Sequence, residues 1–339
     1  MKIAQIMAGA EQGGAELYFE RLNIALAQHG ETVLVIIRRN AARAERLRAQ
    51  SLNPYELKFG GRFDFLTRYR LNKILKEFKP KVVFTWMSRA TRHTPRGPWL
   101  LVGRLGGYYD LKYYQHCDYL VANTPDLVTW IIGQKWPANK VYYLPNFVND
   151  YKGALPAQLG IAEKTKIIFS LGRLHANKAF DTLVQAMQFI PDAHLFIAGE
   201  GPERKNLEIL IKNLGLAERI HLLGWRDDNA ALLAACDVFV CPSRHEPLGN
   251  VIIEAFSAEK PVVATRSQGA LSLIKEEYSG LLCPIDEPET LAKQINRLLN
   301  DKDLSSQLAK AARHEFELNF SEKPVIKRWQ EFLQQLEQS

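Results

Sequence analysis

Apolar residues in this chain follow two alternating patterns: short, nearly continuous runs and longer stretches at helical spacing. Lys2–Met7 is such a run; a glycine-rich turn at Gly9–Gly14 follows, then a helical pattern from Ala15 to His29. Val33–Ile37 predicts a second strand. Phe65, Tyr69, Leu71, Ile74, Leu75 and Phe78 share helical spacing, so Leu66–Phe78 predicts a helix that Lys79-Pro80 ends before the strand Val82–Thr85. Trp99–Val102, Tyr119–Ala122 and Val141–Leu144 predict further strands. His116 falls in a helical stretch, Tyr113–Asp118, where a structural role is expected.

A second series begins after Asn146. Asp150–Ala157 is polar, contains Gly153 and Pro156, and suits a linker. Strands are predicted at Lys166–Ser170, His194–Ala198, Ile220–Leu222, Val238–Cys241 and Pro261–Thr265. Helices are predicted at Phe180–Met187, Lys205–Asn213, from about Asn250, and at Glu289–Leu299, Leu304–Phe316 and Pro324–Leu336. Strand–helix alternation of this kind builds parallel sheets from βαβ units. The expected class is α/β: two facing, doubly wound Rossmann-like domains with a cleft between them, ligands sitting at the carboxyl ends of the strands. A length of 339 residues fits that division. The expected boundaries are 1–149, 150–320, and a C-terminal helix at 321–339 packing back toward the first domain.

Composition adds three points. The chain is 47% hydrophobic and 24% charged, as in soluble globular proteins, and no apolar run reaches the roughly 18 residues that span a bilayer. The N-terminus reads directly into a strand, so a cytoplasmic location is expected. Cys117, Cys236, Cys241 and Cys283 form no C-x-x-C pair, which supports neither a zinc site nor a disulfide framework, and Cys236 and Cys241, which flank an apolar strand, are expected as small buried side chains. Charge is uneven: residues 1–150 carry 22 Lys and Arg against 12 Asp and Glu, the remainder 22 against 25. The basic half is expected to meet something anionic.

Three patterns in the second half carry chemistry, and each follows a predicted strand. Ser170-Leu171-Gly172-Arg173-Leu174, with Asn177-Lys178, brings a glycine and two cations to the point where a helix begins, which suits a diphosphate. Gly199-Glu200-Gly201-Pro202 permits a tight turn at the carboxyl edge, and a plain turn explains it equally well. The third runs from Pro242 to Ala255. Its Glu246 and Glu254 stand eight residues apart, one in a loop before a helix and one in the helix's first turns. Eight steps at about 1.5 Å span roughly 12 Å, too far for a glycosidase pair at about 5–9.5 Å. The spacing fits a ligand with a hydroxyl-bearing group at each end and an anion between, met by backbone amides near Leu248, Gly249, Asn250 and Val251. A nucleotide sugar has that form.

On these residues the chain resembles the retaining glycosyltransferases of the GT-B fold, within the large family 4 group that includes lipopolysaccharide-core enzymes. Glu246…Glu254 is similar to the family's Glu-x7-Glu motif, and Gly172-Arg173 with Lys178 to its diphosphate-binding pair. Gly13-Gly14-Ala15-Glu16 is similar to its first-domain glycine loop; Gly199–Pro202 and Pro145-Asn146 also match. The resemblance implies that Glu246 meets the donor sugar's hydroxyls, Glu254 the ribose, and Arg173 and Lys178 the departing diphosphate. Gly14 would approach the phosphates or acceptor, and Trp225 and Arg226 would line the base pocket. It further implies retention and no required metal or other cofactor. A sugar-nucleotide epimerase and a non-catalytic nucleotide-sugar-binding module remain as other readings.

One departure concerns the acceptor side. Many relatives carry a histidine after a first-domain strand, whereas here Trp99–Val102 runs into Gly103-Arg104-Leu105-Gly106-Gly107. Arg104 and Gly106 are the candidates to take over its contacts. His93 is an alternative substitute, set against the plain surface role that a lone loop histidine more often has. Asn123, with Thr124, either faces the cleft or makes a turn. Arg38, Arg39, Arg43, Arg46, Arg48, Arg62, Arg68, Arg70, Lys73, Lys76, Lys79, Lys81, Arg89, Arg92 and Arg96 crowd the first domain, with Phe59, Phe63, Phe65, Tyr69, Trp86 and Trp99 among them. In the enzymes it resembles the first domain receives the acceptor, so the resemblance together with this charge implies a glycan or glycolipid acceptor, such as a phosphorylated lipopolysaccharide core, with the basic face in peripheral contact with an anionic inner leaflet. No nucleic-acid recognition motif accompanies the charge.

Overall fold

A computed structural model describes residues 1–338 other than Gln12, Arg62 and Glu163. Gln12 of the expected glycine-rich turn and Arg62 of the basic set therefore lie outside the described residues. The chain divides into two compact units, Met1–Phe147 joined by the stretch from Glu322 onward, and Val148–Ser321.

The first unit runs β1 (Lys2–Met7), α1 (Gly14–Gln28), β2 (Thr32–Arg38), α2 (Ala41–Ala49), β3 (Tyr55–Leu57), α3 (Phe65–Phe78), β4 (Val82–Trp86), α4 (Met87–His93), β5 (Leu100–Leu105), β6 (Tyr119–Ala122), α5 (Pro125–Gly133) and β7 (Val141–Tyr143). All its strand pairs are parallel, in the order β3-β2-β1-β4-β5-β6-β7. Strands buried on both faces read as apolar runs, and Ile3, Ala4, Ile6 and Met7 of β1 are fully buried. Successive residues feed opposite layers: Ile3 and Met7 pack with α1, Ala4 and Ile6 with α3 and α5.

The second unit runs β8 (Lys166–Leu171), α6 (Phe180–Ala186), β9 (Ala193–Ala198), α7 (Arg204–Asn213), β10 (Ile220–Gly224), α8 (Asn229–Ala235), β11 (Val238–Cys241), α9 (Asn250–Ser257), β12 (Val262–Thr265), α10 (Gln268–Leu273), β13 (Leu281–Cys283), α11 (Pro288–Asn300) and α12 (Lys302–Asn319). Its parallel sheet has the order β10-β9-β8-β11-β12-β13. A final helix, α13 (Glu322–Gln338), belongs to the first unit. Its Trp329 ring lies 5.3 Å from Phe84 and its Phe332 ring 4.5 Å from Tyr142.

Side-chain caps fix several helix starts. Asn40, Asp64, Thr124 and Asp301 each accept from an amide in the first turn of α2, α3, α5 and α12. Thr124 thus makes the turn contact, with Pro125 at the first helical position. Other expectations need correction. β5 extends to Leu105 because Gly103, Arg104 and Leu105 continue the ladder to β6, so Gly103 and Arg104 lie in the strand. His116 lies in a turn after a short 3-10 segment, not in a helix, and its Nε2 meets the Thr91 carbonyl at 3.0 Å. His93 is no surface loop residue: it ends α4, is buried, and its Nε2 donates to the Gly60 carbonyl at 3.2 Å. The polar segment after Asp150 is tied down, by an Arg313–Asp150 ion pair and by Ala157 N donating to Ala231 O at 2.9 Å. No described helix is long and apolar enough to cross a membrane.

Candidate functional site

Strand order locates the site. In the second sheet the chain winds outward in both directions from the β8/β11 boundary, the switch point at which doubly wound sheets bind ligands. The loop after β8 holds Gly172, Arg173 and Lys178; the loop after β11 holds Ser243–Gly249. Lys178 Nζ and a Glu246 carboxylate oxygen form an ion pair across that boundary. Glu246 is only 8% exposed, and Ser243 Oγ donates to the same oxygen at 3.4 Å. Burial pulls the Lys178 ammonium down, but the neighbouring Glu246 carboxylate outweighs it and leaves the pKa above the ordinary lysine value. Lys178 ends a 3-10 turn, Ala176–Lys178, so it points to Glu246 and not along the start of α6. Arg173 is exposed and enters no ion pair or hydrogen bond among the described residues.

Glu246 stays in place because its loop is braced from both sides. Thr265 Oγ1 donates to Ser243 O at 2.6 Å, and Gly269 N to Glu246 O at 2.6 Å. A Cβ on Gly269 would come within 2.6 Å of Glu246 O and of the Leu248 backbone. On the other side His245 N donates to Asn177 O at 3.2 Å, and Arg244 reaches Ala176 O and the carboxylates of Asp181 and Asp286. The Asp181 hydrogen bond keeps the Arg244 guanidinium well above its ordinary pKa. The motif reading missed these supports. Arg244 lies inside the quoted motif; Ser267-Gln268-Gly269, directly after a strand, was the available sign of the other brace.

Gly249 precedes α9 at φ +88°, a left-handed conformation that favours glycine. It turns the chain so that α9 opens just after the Glu246 loop, with Leu248 buried and Asn250 and Val251 in the first turn. First-turn amides have no intrahelical carbonyl and carry the positive end of the helix dipole. Glu254 lies half-buried one turn further along α9.

Gly199 and Gly201 do more than turn the chain. A Cβ on Gly199 would stand 1.9 Å from Gly172 O, and one on Gly201 2.3 Å from Leu174 O. Hydrogen bonds from Gly172 N to Ala198 O and Leu174 N to Glu200 O, both 3.0 Å, join the two loops. The glycines therefore let the loop after β9 lie against the backbone of the loop after β8. Trp225, directly after β10, is 61% exposed; Arg226 beside it is held by Asp228 at 2.7 Å. One Asp-x-Asp tripeptide is present, Asp301-Lys302-Asp303, and Asp301 caps α12 through Leu304 N at 2.9 Å. No metal-holding group of three His, Cys, Asp or Glu occurs among the described residues. The four cysteines are free and buried.

In the first unit the switch point lies between β1 and β4. The glycine loop follows β1, and Gly14 is the first residue of α1. Glu16 turns back into the loop and accepts from Ala10 N at 2.7 Å, while Arg43 Nη2 donates to Ala10 O and Glu11 O. Arg43 is 1% exposed and paired with Glu20, so it is a brace for this loop and not part of a basic face. Trp86, Trp99 and Phe59 are also buried and leave that face. Arg104, 3% exposed, stacks 4.1 Å from the Trp86 ring and 4.9 Å from that of Tyr18, and donates to Asn146 Oδ1 at 2.5 Å. Burial lowers its pKa to about 10 and raises that of Tyr18 to about 12. Asn123 is buried at the end of β6, and Gly106 follows β5.

Each sheet thus carries a set of loops at its switch point, and the second set places a cation–carboxylate pair beside a helix start on a doubly wound fold. Comparison makes this specific. Residues 152–315 match the family described as Glycosyl transferases group 1, and residues 12–151 match Glycosyltransferase Family 4. The chain is 31% identical over 344 residues to the lipopolysaccharide core biosynthesis glycosyltransferase LpsE of Rhizobium meliloti, spanning 98% of this chain and 99% of that one. It is 32% identical over 332 residues to LpsD of the same organism, at 96% of each. Among solved structures, a Rickettsia africae glycosyltransferase superposes with a TM-score of 0.86 at 20% identity, over 99% of this chain and 98% of that one. Anabaena Alr3699/HepE, solved in complex with UDP, gives 0.86 at 24% identity, over 99% and 100%. The chain belongs to the group 1, family 4 glycosyltransferases, and its two Rossmann-like units are those of the GT-B fold.

Proposed function

We propose that this glycosyltransferase moves a hexosyl unit, with retention, from a nucleotide diphosphate sugar to a glycan or glycolipid acceptor of the lipopolysaccharide-core kind. The observation that carries the reading is the Lys178–Glu246 pair across the switch point of the second sheet, beside the start of α9. The HepE complexes with UDP and UDP-glucose support a nucleotide-sugar donor, and the LpsE and LpsD names support the acceptor class.

Each group has a task that its chemistry suits. The sugar's hydroxyls donate to the Glu246 carboxylate, displacing Lys178 toward the diphosphate. Arg173 and Lys178, with the amides that open α9, neutralise the charge that grows on the diphosphate as the anomeric carbon–oxygen bond breaks. The acceptor hydroxyl forms the new bond at that carbon, and its proton leaves with the diphosphate. These cations and amides supply the positive charge, so no metal is required in this reading. Glu254 accepts from the ribose hydroxyls, and the base lies toward Trp225 and Arg226. Arg104, Gly106 and Asn123 serve the acceptor side, and the acceptor is presented at the cytoplasmic face of a membrane. Glu246→Ala tests the sugar contact: an unchanged transfer rate rejects it. Calorimetric titration with UDP, GDP and ADP tests the diphosphate contact, since Arg173→Ala and Lys178→Ala must both weaken binding.

A further inference from the structure

Arg104, one residue before the end of β5, is a cation shut inside the first unit without a counter-charge. No carboxylate pairs with it among the described residues; its neighbours are the rings of Trp86 and Tyr18 and the side-chain oxygen of Asn146. Its Nε is sealed from solvent and has no hydrogen-bond partner. Ring faces and one amide offset only part of the cost of burying a guanidinium, which a folded interior ordinarily pairs with an anion. The missing anion is called for at the carboxyl edge of the sheet, where doubly wound folds bind their ligands.

The residues that follow leave both room and donors. A Cβ on Gly106 would stand 3.7 Å from Asn123 Nδ2, and one on Gly107 3.9 Å from the Tyr109 ring, so two positions without side chains lie between two polar groups. Asn123 is buried, yet its side chain makes no hydrogen bond among the described residues. The half-buried Tyr109 leaves its hydroxyl equally unpaired. Burial pushes the Tyr109 phenol up in pKa against the pull of neighbouring Arg104, so it stays a neutral donor. Glu16, the carboxylate that bears on this phenol, is turned into the glycine loop and takes up Ala10 N at 2.7 Å.

We propose that Arg104, Tyr109 and Asn123 form an anion subsite for the acceptor, so that the sugar receiving the new bond carries a carboxylate or a phosphate. Tyr109 Oη and Asn123 Nδ2 donate to the acid group's oxygens. Arg104 supplies the compensating charge from the interior, where the low dielectric strengthens it. The subsite deepens the acceptor side of the function above, and rests on that reading for an acceptor binding at this edge.

The test is ligand-observed NMR titration of the full chain, in excess UDP, with methyl glucuronide, glucose 6-phosphate and methyl glucoside. At least one acidic sugar should bind about tenfold or more tightly than methyl glucoside, and which one does so separates carboxylate from phosphate. Tyr109→Phe keeps the ring and removes only the hydroxyl; Arg104→Met removes the charge. Each should bring the acidic sugar down toward the affinity of the neutral one, with circular dichroism and UDP affinity unchanged. Equal binding of acidic and neutral sugars overturns the proposal, as does a preference that survives in the correctly folded Tyr109→Phe variant. So does a tenfold loss of UDP affinity in either variant, which would assign the group to the donor's diphosphate. Acidic-sugar binding that both variants lose, in a chain that transfers no sugar, sinks the transfer reading and leaves this one standing. Transfer to neutral and acidic acceptors at one rate does the reverse.

Discussion

Replacing Gly269 with alanine isolates how Glu246 is positioned, because Gly269 touches no ligand in the proposed reaction. Its amide donates to Glu246 O at 2.6 Å, and an added Cβ would stand 2.6 Å from that oxygen and from the Leu248 backbone. An ordinary contact needs about 3.4 Å, so the loop and α10 must part by roughly 0.8 Å, and backbone atoms have no rotamer by which to yield. Overpacking of this size costs about 1–3 kcal/mol of stability. A displacement approaching 1 Å at a positioned reacting group lowers the rate by about a hundredfold. Turnover of the preferred nucleotide sugar, measured well below the unfolding transition, should fall by that order. Gly133→Ala, where an added Cβ meets nothing within 4 Å, is the control and should retain full turnover. Turnover of Gly269→Ala within twofold of wild type, with an unshifted unfolding midpoint, would refute the positioning argument.

Three further outcomes follow from the same geometry. Gly199→Ala puts a Cβ 1.9 Å from Gly172 O, so the second unit should lose at least about 2 kcal/mol in denaturant unfolding and nucleotide affinity with it. Lys178 has a raised pKa, so its pairing with Glu246 is fully formed below the ordinary lysine value and is lost only as pH climbs through the higher folded-state value. Nucleotide affinity should therefore show no alkaline limb from this lysine up to about pH 10, and one that Lys178→Met removes below pH 9 contradicts the assignment. Arg104 is a buried cation held by rings and an amide, with burial depressing its pKa to about 10. Arg104→Met should hold unfolding free energy within about 1 kcal/mol while transfer drops at least tenfold; a large stability loss with normal transfer would make it purely structural.

The strands were legible because a parallel strand buried on both faces is nearly continuously apolar, as Ile3–Met7, with Gln5 its one polar residue, and Val238–Cys241 show. Several short or polar elements were not. Helix α2 carries four arginines or glutamates in nine residues and buries little beyond Arg43, Ala44 and Leu47, while β3 and β13 are three residues each. The residues of the proposed donor site could be read from motif spacing, since Glu246, Glu254 and Lys178 lie within short sequence motifs. Their supports could not, because Thr265, Gly269 and Asp181 reach the Glu246 loop only after distant segments pack. Charge counting failed at Arg43 for a similar reason: composition does not reveal that Glu20 lies against it in the interior.

The central claim is retaining transfer from a nucleotide diphosphate sugar held by the second unit. Product analysis by proton NMR, after incubation with a panel of UDP-, GDP- and ADP-sugars and a lipopolysaccharide-core acceptor, tests it most directly. The account predicts release of one nucleoside diphosphate and a new glycoside with the anomeric configuration of its donor, both lost in Glu246→Ala. A glycoside of inverted configuration, or no turnover of any donor by correctly folded protein, would contradict it.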